Sequence, residues 1–190
     1  ISYDAERPPS PADYAEVVRA TTAELGVELI FEPGRFLVGE AGVMVTRVVY
    51  VKTGASRRFV IVDAAMNDLL RPSLYQAHHA IVPVALPAPD AERETYDVVG
   101  PVCETGDVIA TDRPLAPPAA DDLLAVACAG AYGAVMASGY NSRLLVPEVM
   151  VNGDQFAVVR PRQGYEELLA QDRIPPWLED QTPTRASGRG

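Results

Sequence analysis

Residues 43–51 read VMVTRVVYV, a run dominated by β-branched side chains. Branching at Cβ crowds a helix and suits a pleated strand, so this stretch is predicted to be a long strand. The same reasoning marks Phe59–Val62, Ile81–Leu86, Glu94–Val99, Val108–Ala110, Leu123–Cys128, Leu145–Val151 and Phe156–Val159. Turns rich in Gly, Pro and Asp separate them, a spacing that predicts a β-sandwich or barrel. Short helices are expected near Tyr132–Ala137 and Tyr165–Gln171. Residues 43–178 are therefore expected to form a β domain, with 179–190, ending in QTPTRASGRG, as a disordered tail.

Upstream of the long run the pattern changes. Ser10 is placed to cap a helix, Pro11 sits at its first position, and Asp13 falls where a capping-box acid belongs. Tyr14, Val17, Val18, Thr21 and Leu25 follow at helical spacing, and Gly26 is the natural stop. Val27–Phe31 then reads as a buried strand, leading into Glu32-Pro33-Gly34-Arg35. Helix, strand and Gly loop together read as the last α/β unit of a (β/α)8 barrel, spanning 1–42. Active sites of such barrels lie at the C-terminal ends of the strands, which is where Glu32 to Arg35 fall. A whole barrel takes roughly 250 residues, more than this chain of 190 could hold beside a β domain. The fold class expected is α/β plus all-β, with the chain a C-terminal segment of something longer.

Composition narrows the function. The chain is 48% hydrophobic and 22% charged, enough to build a core. A net charge of -10 disfavours binding to a phosphate backbone, so no nucleic-acid partner is expected. Leu123–Ser142 is uncharged and as long as a membrane span. However, Gly130, Gly133 and Gly139 break it, and a strand, a Gly turn and a short helix account for it better. No secretory leader pattern is visible, which gives a cytoplasmic expectation. Cys103 and Cys128 lack metal-site spacing with each other or with His78 and His79, so no metal is expected. Of 16 basic residues only Lys52 is lysine, and it lies inside the β run.

Chemistry-bearing residues fall in clusters: EPGR at 32–35, DAAMNDLLRPSLY at 63–75, GPVCETGD at 100–107, GAYG at 130–133 and YNSR at 140–143. Each alone has an ordinary explanation as a turn, a core cysteine or a surface charge, and Arg71-Pro72 could simply end a helix. Together they form a more specific inventory. Arg35 and Arg71 suit bidentate carboxylate recognition, Glu104 suits an ammonium, Tyr75 and Tyr132 offer hydroxyls, and Cys103 could donate a proton. That set fits a dipolar, amino-acid-like ligand.

In order and content these clusters resemble the C-terminal half of the diaminopimelate decarboxylase family, from about Tyr3 to about Leu169. The resemblance implies an alanine-racemase-like barrel followed by a β domain, with pyridoxal 5'-phosphate as cofactor. It implies that meso-diaminopimelate loses CO2 to give L-lysine, in lysine biosynthesis. It places Glu32, Gly34 and Arg35 beside the cofactor phosphate, with Arg35 also on substrate carboxylate. It makes Arg71, Tyr75 and Glu104 substrate-binding, Tyr132 shared between substrate and cofactor, and Cys103 the catalytic acid. It implies a homodimer in which the Cys-Glu loop reaches the partner's cofactor. The lysine that anchors the cofactor in that family lies early in the barrel, so this segment alone is expected to be inactive. Thr105, Ala65 and Leu144 depart from the family's usual Ser, Gly and Pro. Two other readings stay open: a non-catalytic β module for dimerisation or binding, and a related decarboxylase for another basic amino acid or carboxylated polyamine.

Overall fold

The computed structural model describes residues 1, 3 and 8–179; residues 180–190, most of the expected tail, lie outside it. The chain divides into two compact units, Ile1–Arg143 and Leu144–Gly190, so the expected junction at 42/43 falls inside the first.

The first unit is built on a six-stranded sheet. Its strands are β1 (Met44–Thr53), β2 (Arg58–Val62), β3 (Ile81–Pro83), β4 (Glu94–Val99), β5 (Val108–Leu115) and β6 (Leu123–Val126), in the spatial order β3-β6-β1-β2-β4-β5. The two outer strands, β3 and β5, come back against each other, so the sheet is barrel-like. Inward side chains fill it: Val48, Val60, Val62, Leu69, Tyr96, Val98, Ile109, Leu115, Leu124 and Val126 are all buried. Along β1, Thr46 and Val48 point inward in strict alternation. A bulge between Val48 and Tyr50 then shifts the phase, and Val51 becomes the next residue packed on the core.

One pairing positions the site. β2 and β4 run parallel, whereas β1–β2, β1–β6, β3–β6 and β4–β5 are antiparallel. A parallel pair cannot be joined by a hairpin and needs a long crossover. Residues 63–93 supply it, and the DAAMNDLLRPSLY motif is its first stretch.

The predicted helix start is present in full. In α1 (Pro11–Thr22) the Ser10 hydroxyl accepts from Asp13 N at 3.2 Å, and Ser10 N donates to the Asp13 carboxylate at 2.8 Å. The helix stops at Thr22, short of the expected end. The hydroxyls of Thr21 and Thr22 bond back to the carbonyls of Val17 and Val18, competing with the last turn of the ladder.

The expected strand at Val27–Phe31 is a correction. It carries no strand pairing among the described residues, and Ile30 is 84% exposed. A run of apolar residues becomes a strand only when a neighbour satisfies its amides and carbonyls. The α/β barrel unit expected over 1–42 is accordingly not seen among the described residues. Tyr14 on α1 meets Phe31 edge-on, 6.2 Å between ring centres. Where a loop was expected, Gly34–Val38 forms a short helix, α2. Arg71-Pro72 opens a helix, α3 (Arg71–Tyr75), and does not close one; proline is tolerated there because first-turn amides lack helical partners.

The second unit holds a hairpin of β7 (Glu148–Asn152) and β8 (Gln155–Arg160), followed by α4 (Tyr165–Leu169) and α5 (Pro176–Glu179). The Leu145 amide donates to the Gln163 side-chain oxygen, tying the entry of the hairpin to its exit.

Candidate active site

The Asp107 carboxylate organises two of the motifs at once. It is buried, accepts from Val102 N at 2.7 Å within its own loop, and accepts from Met66 N at 2.7 Å in the crossover. The fit leaves no room for a side chain at position 100, because a Cβ on Gly100 would collide with that carboxylate. The Ser73 hydroxyl donates to Gly106 O at 2.6 Å, so α3 is fastened to the same loop. Cys103 and Glu104 lie on the exposed stretch between these anchors. Arg71 and Tyr75 stand at the two ends of α3 beside it.

A second clamp comes from Arg143. Its Nε donates to Asn67 Oδ1 at 2.8 Å, and its terminal nitrogen donates to Asp63 O at 2.6 Å and to the Asp68 carboxylate at 3.2 Å. Asn67 in turn donates to Asp68 and to Ser138 O, both at 3.1 Å. The Asp68 side chain is only 1% exposed and also accepts from Ala65 N, so its charge is compensated from several sides. Thr46 on β1 extends the network: its hydroxyl donates to the Asp63 carboxylate and accepts from Ala64 N. From the same stretch as Arg143, the Tyr140 hydroxyl donates to Glu104 at 3.3 Å. The negative charge of Glu104 holds the Tyr140 phenol above its usual value.

Arg71 is the buried member of the group. Its guanidinium donates to His79 Nε2 at 2.9 Å and lies 4.3 Å from the centre of the Tyr3 ring. His79 Nδ1 is 2.8 Å from the Ala127 carbonyl. A carbonyl can only accept, so Nδ1 carries the hydrogen and Nε2 is the acceptor. Burial, with Arg71, His78 and Arg113 nearby, pushes the His79 imidazole below its ordinary value and keeps it neutral.

The GAYG motif meets the stretch that follows EPGR elsewhere in the unit. Ala129 N donates to Gly42 O, and Gly130 N donates to Gly39 O. A Cβ on Gly130 would strike the Val38 carbonyl, so the two backbones touch because position 130 has no side chain. Tyr132 holds a positive φ of 60° and is half exposed. Glu32, Gly34 and Arg35 are exposed, with open space where a Cβ on Gly34 would sit. The sequence-predicted residues thus fall into two groups: Arg71, Tyr75, Cys103 and Glu104 on cross-linked loops, and Glu32, Gly34, Arg35 and Tyr132 around the α2–GAYG contact.

Residues 3–130 match the family model described as pyridoxal-dependent decarboxylase, C-terminal sheet domain. The chain belongs to this family. It is 49% identical over 175 residues to the diaminopimelate decarboxylase of Zymomonas mobilis, covering 92% of this chain and 41% of that protein. It is 48% identical over 176 residues to the diaminopimelate decarboxylase of Pseudomonas aeruginosa, covering 93% and 42%. Among solved structures, diaminopimelate decarboxylase from Helicobacter pylori complexed with L-lysine aligns with a TM-score of 0.81 at 42% identity, over 90% of this chain and 42% of that one. The M. jannaschii enzyme in co-complex with L-lysine aligns at 0.84 and 34%, over 93% and 41%. The chain spans about two-fifths of the length of the curated relatives it matches.

The phosphate end of a pyridoxal cofactor needs donors and space. Residues 34–36 open α2 ahead of its first helical hydrogen bond, Leu37 N to Pro33 O, and Arg35 adds a guanidinium. The Gly34 amide itself is engaged by Glu32 O at 2.8 Å. This end fits. The aldehyde end needs an amine, and Lys52 is exposed on β1 opposite Phe59, far along the strand from these loops.

Sequence reasoning overlooked the residues that hold this family's loops in place. Asp107 closes the GPVCETGD motif and Arg143 closes YNSR. Both stood inside flagged motifs without a role. In the sequence His79 offers only a candidate metal ligand without the right spacing, and nothing local to Ser73 signals its bond to a loop 33 residues away.

Proposed function

We propose that this segment works within a pyridoxal-phosphate-dependent diaminopimelate decarboxylase, converting meso-2,6-diaminopimelate to L-lysine and CO2. The observation that carries the reading is the Ser73–Gly106 and Asp107–Met66 pair of links. They fasten the exposed Cys103–Glu104 loop to the crossover and to α3, the helix that Arg71 opens, which supports a braced loop able to reach a second copy. The family match and the relatives' names support the same reading.

In this reading Arg71 binds a substrate carboxylate with the N–H groups its fork does not give to His79. Glu104 binds the ammonium, with Tyr140 bonding the carboxylate's other side. Tyr75 closes the pocket at the end of α3. Arg35 and the α2 amides hold the cofactor phosphate, with Glu32 and Gly34 shaping that loop and Tyr132 bordering it. Bound pyridoxal phosphate supplies the electron sink that lets the carbon–carboxylate bond break. Cys103 holds a proton at Sγ and returns it to the carbon that has lost its carboxylate. Paired recognition of a carboxylate and an ammonium rejects substrates lacking either, because the site's charges would be left unpaired. A second copy of the chain completes the site, presenting its exposed Cys103–Glu104 loop across the interface.

The test is CO2 release from meso-diaminopimelate by the assembled enzyme. Cys103→Ala should lower kcat by about 100-fold or more, as expected for a lost general acid. Cys103→Ala mixed with a variant lacking the cofactor lysine should regain part of the activity if the loop acts across an interface. Full turnover by Cys103→Ala, or faster turnover of a basic amino acid with no second carboxylate, overturns the reading.

A further inference from the structure

We propose that His79 is a positioning residue for Arg71. Its neutral ring holds the guanidinium in the pose that receives a substrate carboxylate, and protonation of the ring releases it. The inference rests on the substrate reading of Arg71 given above.

The geometry is a relay fixed at both ends. Ala127 O, next to β6, accepts the Nδ1 hydrogen, which leaves the Nε2 lone pair aimed at Arg71. The Tyr3 ring packs edge-on to His79, 5.1 Å between ring centres, and beneath the guanidinium, so neither group can swing away without disturbing the other. His79 is fully buried and Arg71 is 7% exposed. A buried guanidinium needs an acceptor for each donor turned inward, and here a neutral imidazole provides one.

Among the described residues no carboxylate performs this task, and that is what makes the device useful for a substrate anion. A carboxylate partner would neutralise the arginine and compete with the incoming carboxylate. A neutral ring fixes the geometry and leaves the full positive charge for the ligand.

The same choice creates a sensitivity to acid. Among the described residues, the groups facing the ring are Arg71 on α3, His78 beside it, Arg113 on β5, and the uncharged Tyr3. A protonated His79 would add a cation among cations and would turn Nε2 from acceptor to donor, breaking the bond to Arg71. The effect on stability has a definite sign. The imidazole's value in the folded chain lies below the ordinary 6.5, so the unfolded chain takes up the proton first. Stability from this group is complete above the ordinary 6.5 and is lost as pH falls through the lower value of the folded chain.

The experiment uses the assembled, cofactor-loaded enzyme and meso-diaminopimelate. KM and kcat are followed between about pH 5 and 8 for wild type, His79→Gln, His79→Ala and Arg71→Lys. The histidine nitrogens of the wild-type protein are followed by NMR over the same range. Gln keeps an acceptor near the Nε2 position and does not titrate. The expected result is a KM that rises in acid for wild type, by about tenfold for the loss of one charged hydrogen bond, with kcat changed far less. The rise should track protonation of His79 Nε2 in the NMR spectrum. His79→Gln should show an intermediate KM without that acid rise, and His79→Ala a high KM at every pH.

If Arg71→Lys raises KM while His79→Gln keeps the wild-type pH course, the positioning role is wrong and the substrate reading stands. If Arg71→Lys leaves KM unchanged, both fall. Should His79→Ala fail to fold, the Gln variant and the wild-type titration still decide the matter.

Discussion

The crossover stretch 63–71 and the segment 27–38 have similar sequences in one respect: each mixes apolar residues with an arginine that suits a carboxylate. Their fates in the chain differ. The crossover is braced from three directions, by Asp107, by Arg143 and by Thr46 on β1, and its Ala65, Asn67, Asp68, Leu69 and Arg71 are buried. In 27–38 no residue is buried, and Ile30, Phe36 and Leu37 are more than half exposed. Local composition does not separate them. What separates them is whether distant residues supply partners for their polar groups and cover for their apolar ones.

The strongest way to break this comparison is to remove a brace from the crossover. Arg143→Ala strips three hydrogen bonds from the 63–68 loop and leaves the buried Asp68 carboxylate without its cation. Urea unfolding should show a loss of about 3 kcal/mol, and Arg143→Lys should recover only part of it, because an ammonium cannot span the same fork. A loss below about 0.5 kcal/mol would mean that the loop holds its shape without the clamp.

A pair of glycines sharpens the contrast. Gly130→Ala forces a methyl into the Val38 carbonyl and should cost about 2 kcal/mol in the same measurement. Gly34→Ala meets open space at a φ that any residue accepts, and should lie within about 0.5 kcal/mol of wild type. Equal effects at the two positions would erase the distinction between the packed and open sides of the α2–GAYG contact.

Between these limits lies the cap of α1, which should depend on local bonds alone. Ser10→Ala should cost the helix about 1 kcal/mol, read as faster hydrogen exchange in the α1 amides with no change in β1. The Asp13 carboxyl is held below its ordinary 3.8 by its bonds to Ser10, first the backbone amide and then the hydroxyl. The unfolded chain therefore binds that proton first, and the contribution is present above the ordinary value and lost as pH falls through the lower value of the folded chain. Exchange in α1 that ignores acidification across this range would show that the box contributes nothing.

Much of this was legible because it is local. The capping box needs only Ser10, Pro11 and Asp13 in sequence. The strands announce themselves through β-branched runs, and the bounds expected for Glu94–Val99 are those of β4. The site motifs could be picked out because Arg71, Cys103, Glu104 and Tyr132 are unusual together. The strand expected at Val27–Phe31 failed for the complementary reason: its sequence is that of a buried strand, but pairing is a property of a neighbour. The short helix at Gly34–Val38 was hidden behind Pro-Gly, which reads as a turn.

The amino-acid sequence by itself determined the periodicities, the cap, the inventory of charged groups and the membership of a decarboxylase family. The tertiary structure decided how those groups are held. The parallel pairing of β2 with β4 forces residues 63–93 across the sheet. The crossover then meets Asp107 from 41 residues away and Arg143 from 76. Such bonds leave no trace in local pattern, because a hydrogen bond constrains distance in space and not separation along the chain. His79 shows this most directly: adjacent in sequence to another histidine, it takes its role from Ala127 and Arg71, which only the fold brings to its two nitrogens.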